Sequence, residues 1–246
     1  MMRVRANMTD PFPESLQRFG IAVSTLRQAC VTGSGLPVWT LSASGDPFDA
    51  WRRLRGLHGQ TGLWPFLTGS KNVARLWEAA TEYHDPTALE RGLSLDAERF
   101  LFQRAAFIEA PRPEDVKTDP IRRGPEVSEP TFEFTSSNTV VGLIQAKEGY
   151  EIPGLLSWSG ALNIGLDGAN HVAVLSYWHE RYGAELVTLA PDGIELLVPR
   201  PPLDASTIAR VAIEMGSYCP DLLLSADFEE LAREYVPRRS WSFWWD

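Results

Sequence analysis

The last six residues, Trp241-Ser242-Phe243-Trp244-Trp245-Asp246, constrain the fold more than any other stretch of this chain. Trp241, Phe243 and Trp245 alternate with Ser242, Trp244 and Asp246, the two-residue period of a half-buried strand. Three aromatics on one face must be covered, so this strand needs sheet neighbours beside it and helices over it. Trp244 falls on the opposite face.

The rest of the second half supplies those partners. Thr139 to Ala146 reads as a strand, and His171 to Tyr182 as a helix with Val174, Leu175, Trp178 and Tyr182 inward and Gly183 as its C-cap. Glu185 to Leu189 and Ile194 to Val198 are strands of a hairpin turning at Pro191-Asp192-Gly193. Asp204 caps a helix whose stripe is Ile208, Val211, Ala212 and Met215, and Pro220 follows its end. Asp227 and Glu230 have capping-box spacing for one more helix. The order β-α-β-β-α-(α)-β predicts an α+β sheet with helices on one face, compatible with a ferredoxin-like strand order.

The first half is a mixed α/β region. Residues 21–31 suit a short helix or a strand, and Val38 to Leu41 a strand. Asp46-Pro47 starts a helix with Phe48, Trp51 and Leu54 on its apolar face. Thr61 to Phe66 is a strand or a tight turn, and helices are expected over 71–83 and 95–109. Prolines 111, 113, 120, 125 and 130 then fall among charged residues, a linker composition. The expected division is 1–110, a linker at 111–130, and a C-terminal domain at 131–246.

Charge is unevenly placed. Of 32 acidic and 23 basic residues, 15 and 7 lie in 140–246, so that half carries −8 of the net −9. Such a surface repels phosphate backbones and anionic lipid, which argues against nucleic-acid and membrane partners and suits a basic protein partner. Acidity for solubility alone is the ordinary reading. The two cysteines, Cys30 and Cys219, match no metal spacing and no disulfide framework. With no signal-peptide pattern near Arg3 and Arg5, and no apolar run of about 20 residues, a cytoplasmic location is expected.

No catalytic motif stands out, no metal is expected and no cofactor is implied. Cys219 in Tyr218-Cys-Pro-Asp221 is the best nucleophile candidate, although it follows a helix C-terminus, where the dipole raises a thiol pKa, and a buried core cysteine is the plainer reading. His171 and His179 share a helix but stand eight residues apart, too far to chelate one ion alone. Ser157-Trp-Ser159-Gly160 matches no phosphate-binding fingerprint. Of nine tryptophans, Trp158 in its Gly/Ser loop and Trp244 are the candidates for exposure and contact with a partner.

Four runs carry a family resemblance. They are Val174-Leu-Ser-Tyr-Trp178-His-Glu-Arg-Tyr182-Gly-Ala-Glu185-Leu-Val, then Ile194-Glu-Leu-Leu-Val-Pro-Arg200-Pro-Pro202, Tyr218-Cys-Pro-Asp221 and the terminal Trp241-Ser-Phe-Trp-Trp-Asp246. In this order they resemble the bacterial family catalogued as domain of unknown function 4253, over about residues 140–246. Trp51 through Thr61-Gly-Leu-Trp-Pro65 resembles the N-terminal part of longer members. Members carry a Trp- and Gly-rich loop ending in Asn followed by Cys-Pro. Here Trp158-Ser-Gly-Ala-Leu-Asn163 is followed by Ile-Gly, so any role of that cysteine is absent. The resemblance implies a domain and no activity.

Two functions follow as expectations. The first is a non-catalytic accessory or immunity-type binding module that captures a basic partner on its acidic surface, with Trp244 on the working face. The second is a small-molecule-binding protein or enzyme, its pocket bounded by the loop from Trp158 to Asn163, His171, Arg200 and the turn from Cys219 to Asp221.

Overall fold

A computed structural model describes residues 25–42, 45–69, 73–118, 130–132 and 139–246. In chain order the first half forms β1 (Arg27–Val31), β2 (Pro37–Ser42), α1 (Pro47–Gly56), β3 (Leu63–Thr68), α2 (Val73–Thr81), α3 (Ala88–Ser94) and α4 (Ala97–Phe107). The second half adds β4 (Val140–Gln145), α5 (Gly168–Tyr182), β5 (Glu185–Leu189), β6 (Gly193–Leu197), α6 (Ala205–Tyr218) and β7 (Ser240–Trp244).

The long helices begin where a side chain can take up their free N–H groups. Asp46 accepts from Phe48 and Asp49 at α1, Asp96 from Arg99 at α4, and Asp204 from Thr207 at α6. At α5, Asp167 and Asn170 form a reciprocal capping box. Gly183 ends α5 in the left-handed conformation, which glycine adopts without strain.

The architecture is mixed α+β. The strands form one sheet in the order β1-β2-β4-β3-β5-β6-β7, antiparallel except for the parallel pair β3 and β5. Alternation along the central strands sends side chains to two cores. Trp64, Phe66, Ile144, Leu196 and the aromatics of β7 face α5 and α6 in the larger one. Leu63, Leu67, Val141, Leu143 and Val187 face Trp51 and Leu54 of α1 in the smaller one.

One expectation needs correction. The ferredoxin-like order is not adopted. A split β-α-β requires parallel strands on either side of an inserted one. Here β4 and β5, joined through α5, run in opposite directions and enclose β3 from the first half. Strands from both sides of residues 111–130 join this one sheet, with β3 between β4 and β5. Residues 119–129 of that stretch lie outside the described residues. Before them, Pro113–Asp115 forms a helical turn against α6, and Val116 is buried in the larger core. The C-terminal helices do lie on one face. The additional cover on the other face comes from α1.

Gly142 of β4 shows how tightly β3 is inserted. It pairs with Phe66, and a Cβ at Gly142 would stand 2.3 Å from the phenyl ring, which is fully buried. Gly142→Ala is expected to destabilise the protein by about 1–3 kcal/mol through overpacking. Chemical denaturation checks this. A variant as stable as the parent would mean that the ring moves freely and that the β3–β4 contact is loose.

Candidate functional site

Of the seven candidate residues, five converge on the tripeptide Trp244-Trp245-Asp246, which contains a sixth, Trp244. Asn163 donates its side-chain amide to the Asp246 carbonyl. Asp221 accepts the Asp246 N–H at 2.9 Å. Cys219 donates its Sγ–H to the Trp244 carbonyl at 2.9 Å. Trp158 and His171 each meet the Trp245 ring edge-on, with centroids 5.4 Å away. Arg200 stands apart. It is exposed beside the C-terminal end of α5, where its N–H bonds the Tyr182 carbonyl at 3.1 Å. His171 lies in the first turn of that helix, roughly 16 Å away along the axis.

The polar groups of this cluster are held out of proton chemistry near neutrality. Burial pushes the Cys219 thiol up to about 12, so the better of the two cysteine candidates stays a protonated donor. Burial likewise pushes His171 down to about 3, so its imidazole is neutral. Its Nδ1 lies 2.6 Å from the Tyr218 hydroxyl, whose own pKa burial raises well above the ordinary value. These residues build a wall.

Trp158 is not exposed, contrary to expectation. It is only 1% accessible, and its Nε1 donates to the Ala190 carbonyl at 2.7 Å. Gly160 makes this possible: a Cβ there would stand 2.2 Å from the Trp158 ring and 2.4 Å from the Pro191 carbonyl oxygen. The Gly/Ser composition of this loop therefore serves close packing of an indole. Trp244 is half-buried and packs against the larger core.

Beside the cluster lies a cleft of about 490 Å³, within the size range of ligand sites. Trp158 and Trp245 line one side and Leu76 and Ala79 of α2 the other. Glu78, Asp192 and Asp246 bring three carboxylates to it against the single guanidinium of Arg75. Tyr83, 71% exposed, stands at its mouth. Arg75, Glu78 and Tyr83 carry no sequence signal of a site. They come from an ordinary helix and its exit, and only the fold sets them opposite the 158–163 loop. Asp192 reads in the sequence simply as part of a turn.

One pair outside the cleft has the residue types of nucleophilic catalysis. Ser157, with a positive φ of 49°, places Oγ 3.0 Å from His84 Nδ1. Its geometry is that of a clasp. Ser157 Oγ also accepts the Asp85 N–H at 2.8 Å, and His84 Nε2 has no partner among the described residues to orient the ring as a base. Arg91 reinforces the same junction by bonding both Asp85 and Asp167. No group of three or more His, Cys, Asp or Glu among the described residues could hold a metal ion.

His171 gives the cluster a pH signature. Unfolding frees an imidazole that takes a proton near its ordinary 6.5, whereas the folded ring stays neutral to about 3. The unfolded state therefore binds more protons between those values, and stability falls as pH falls through that window. The loss approaches about 1.4 kcal/mol per pH unit for this one group. Urea unfolding at pH 7.5, 6.5 and 5.5 should show a shallower pH dependence in His171→Gln than in the parent. Parallel dependences would mean that His171 takes up its proton as readily in the folded protein as in the unfolded one.

No helix among the described residues is long and apolar enough to cross a membrane. No curated protein and no solved structure gives a significant match to the chain. The model of one family does match the C-terminal part that contains β4 to β7 and the clamp around Trp245. The match spans residues 140–246, and the family is described as domain of unknown function (DUF4253).

Proposed function

We propose that the protein is a non-catalytic binding module of the cytoplasm, of an accessory or immunity type, that seats a cationic side chain of a basic partner in the cleft between α2 and Trp245. One observation carries this reading. Glu78, Asp192 and Asp246 outnumber Arg75 around a cleft whose lining includes Leu76, Ala79, Trp158 and Trp245. A lysine or arginine fits such a site because its aliphatic stem lies on apolar surface while its charge reaches carboxylates. Tyr83 adds an exposed ring face for a cation. The excess of acid in 140–246 extends the same field outward and favours encounter with a basic partner.

The enzymatic alternative has less support. Its nucleophile and base candidates, Cys219 and His171, are buried and neutral behind the cleft wall. Arg200 lies at the other end of α5.

Titration with L-argininamide, followed by the indole resonances in nitrogen–proton correlation spectra, tests the reading. Saturable shifts at Trp158 and Trp245 are expected, weaker at high salt because the carboxylates are solvent-accessible. Glu78→Gln and Asp192→Asn should each weaken binding by up to about fivefold, the usual ceiling for exposed ion pairs. Shifts that do not saturate, or that survive both substitutions together, would rule out cation capture in this cleft.

A further inference from the structure

Segments that line the cleft, or that hold its Asp246, carry large apolar side chains turned to solvent. Leu162 is 56% exposed and Leu224 78%, with Tyr83 at the cleft mouth. Single exposed leucines are ordinary on protein surfaces. The placement of these two is what matters. Leu162 precedes Asn163, which holds the Asp246 carbonyl, and Leu224 ends the turn whose Asp221 holds the Asp246 N–H. Both therefore project from the loops that clamp one acidic residue of the cleft, and Tyr83 stands on the α2 side.

We infer that the cleft and its rim form one protein-docking surface, whose occupant is a segment of a basic partner in which an arginine or lysine is flanked by apolar residues. This rests on the cation reading given above. The cation enters among Glu78, Asp192 and Asp246. The flanking apolar side chains cover Leu162, Leu224 and Tyr83. The arrangement has the parts of a protein interface: an anchor residue in a pocket surrounded by contacts that exclude water. Charge complementarity selects a basic segment, and the aliphatic rim selects against a highly charged one.

Three probes test this on the full chain by calorimetry: L-argininamide, a capped peptide with one arginine between leucines, and the same peptide with serines in place of the leucines. The leucine-flanked peptide should bind about tenfold more tightly than argininamide, which converts to about 1.4 kcal/mol. Leu162→Ser and Leu224→Ser should each weaken that peptide about threefold or more while leaving argininamide within about twofold, since burial of aliphatic surface is what they remove. Both residues are exposed, so these variants fold. Equal binding of the two peptides, or rim variants indistinguishable from the parent, would overturn the docking surface even where argininamide binds. Failure of argininamide itself to bind would overturn the cation reading and this inference with it.

Discussion

The indole of Trp178 on α5 lies flat on Phe243 of β7, with ring centroids 5.3 Å apart and planes 18° from parallel. It meets Trp241 and Tyr218 edge-on at 5.4 and 5.3 Å. Trp245 extends the set to His171 and Trp158. Through these rings a five-residue edge strand is fastened to both long helices and to the 158–163 loop. As an edge strand it has a hydrogen-bonded neighbour, β6, on one side only. Ring pairs of this geometry contribute about 0.5–1.5 kcal/mol beyond their burial. The orientation of Trp178 is fixed in turn by Glu214, which accepts from its Nε1 at 3.0 Å and from the Tyr177 hydroxyl at 2.8 Å. Burial raises the pKa of that carboxyl, and these two hydrogen bonds act against the shift.

The candidate site depends on this cluster. Docking of β7 brings Trp244-Trp245-Asp246 to the loops bearing Asn163, Asp192, Cys219 and Asp221, each of which contributes one hydrogen bond. The first half contributes the opposite wall through α2, and the clasp of Ser157, His84 and Asp85 ties the exit of that helix to the same region. One side of the cleft thus lies in the stretch that matches the family model and the other in sequence outside it.

The second half was largely legible because its signals are local. The spacing of Ile208, Val211, Ala212 and Met215 and the alternation of Trp241, Phe243 and Trp245 each report an element without knowledge of its neighbours. Strand order is not local. Nothing within Leu63–Thr68 states that it will pair with β4 on one side and β5 on the other, so the chain reads as two domains although its strands build one sheet. The site was legible in part for the same reason. Asn163, Cys219 and Asp221 stand out by residue type and converge in space, but as holders of a strand end. Trp158 reads as exposed because its neighbours are Gly and Ser, the same small residues that let the indole sink between Pro191 and His171. Glu78 and Tyr83 had no signal at all, since an acidic residue and an aromatic on a helix of the first half gain meaning only from what the sheet places opposite them.

If the aromatic face of β7 holds the second half together, its loss must unfold more than a tail. Burying Trp241, Phe243 and Trp245 is worth roughly 1.5–3 kcal/mol each, and together this rivals the roughly 5–15 kcal/mol of a typical domain. The direct measurement is a thermal melt by near-ultraviolet circular dichroism of the chain ending at Ser240, compared with the full chain. The account predicts that the truncated protein has lost the aromatic signal and the cooperative transition at temperatures where the full chain is native. A truncated protein that keeps both, and melts with the full chain, would show that the sheet and its helices stand without their last strand.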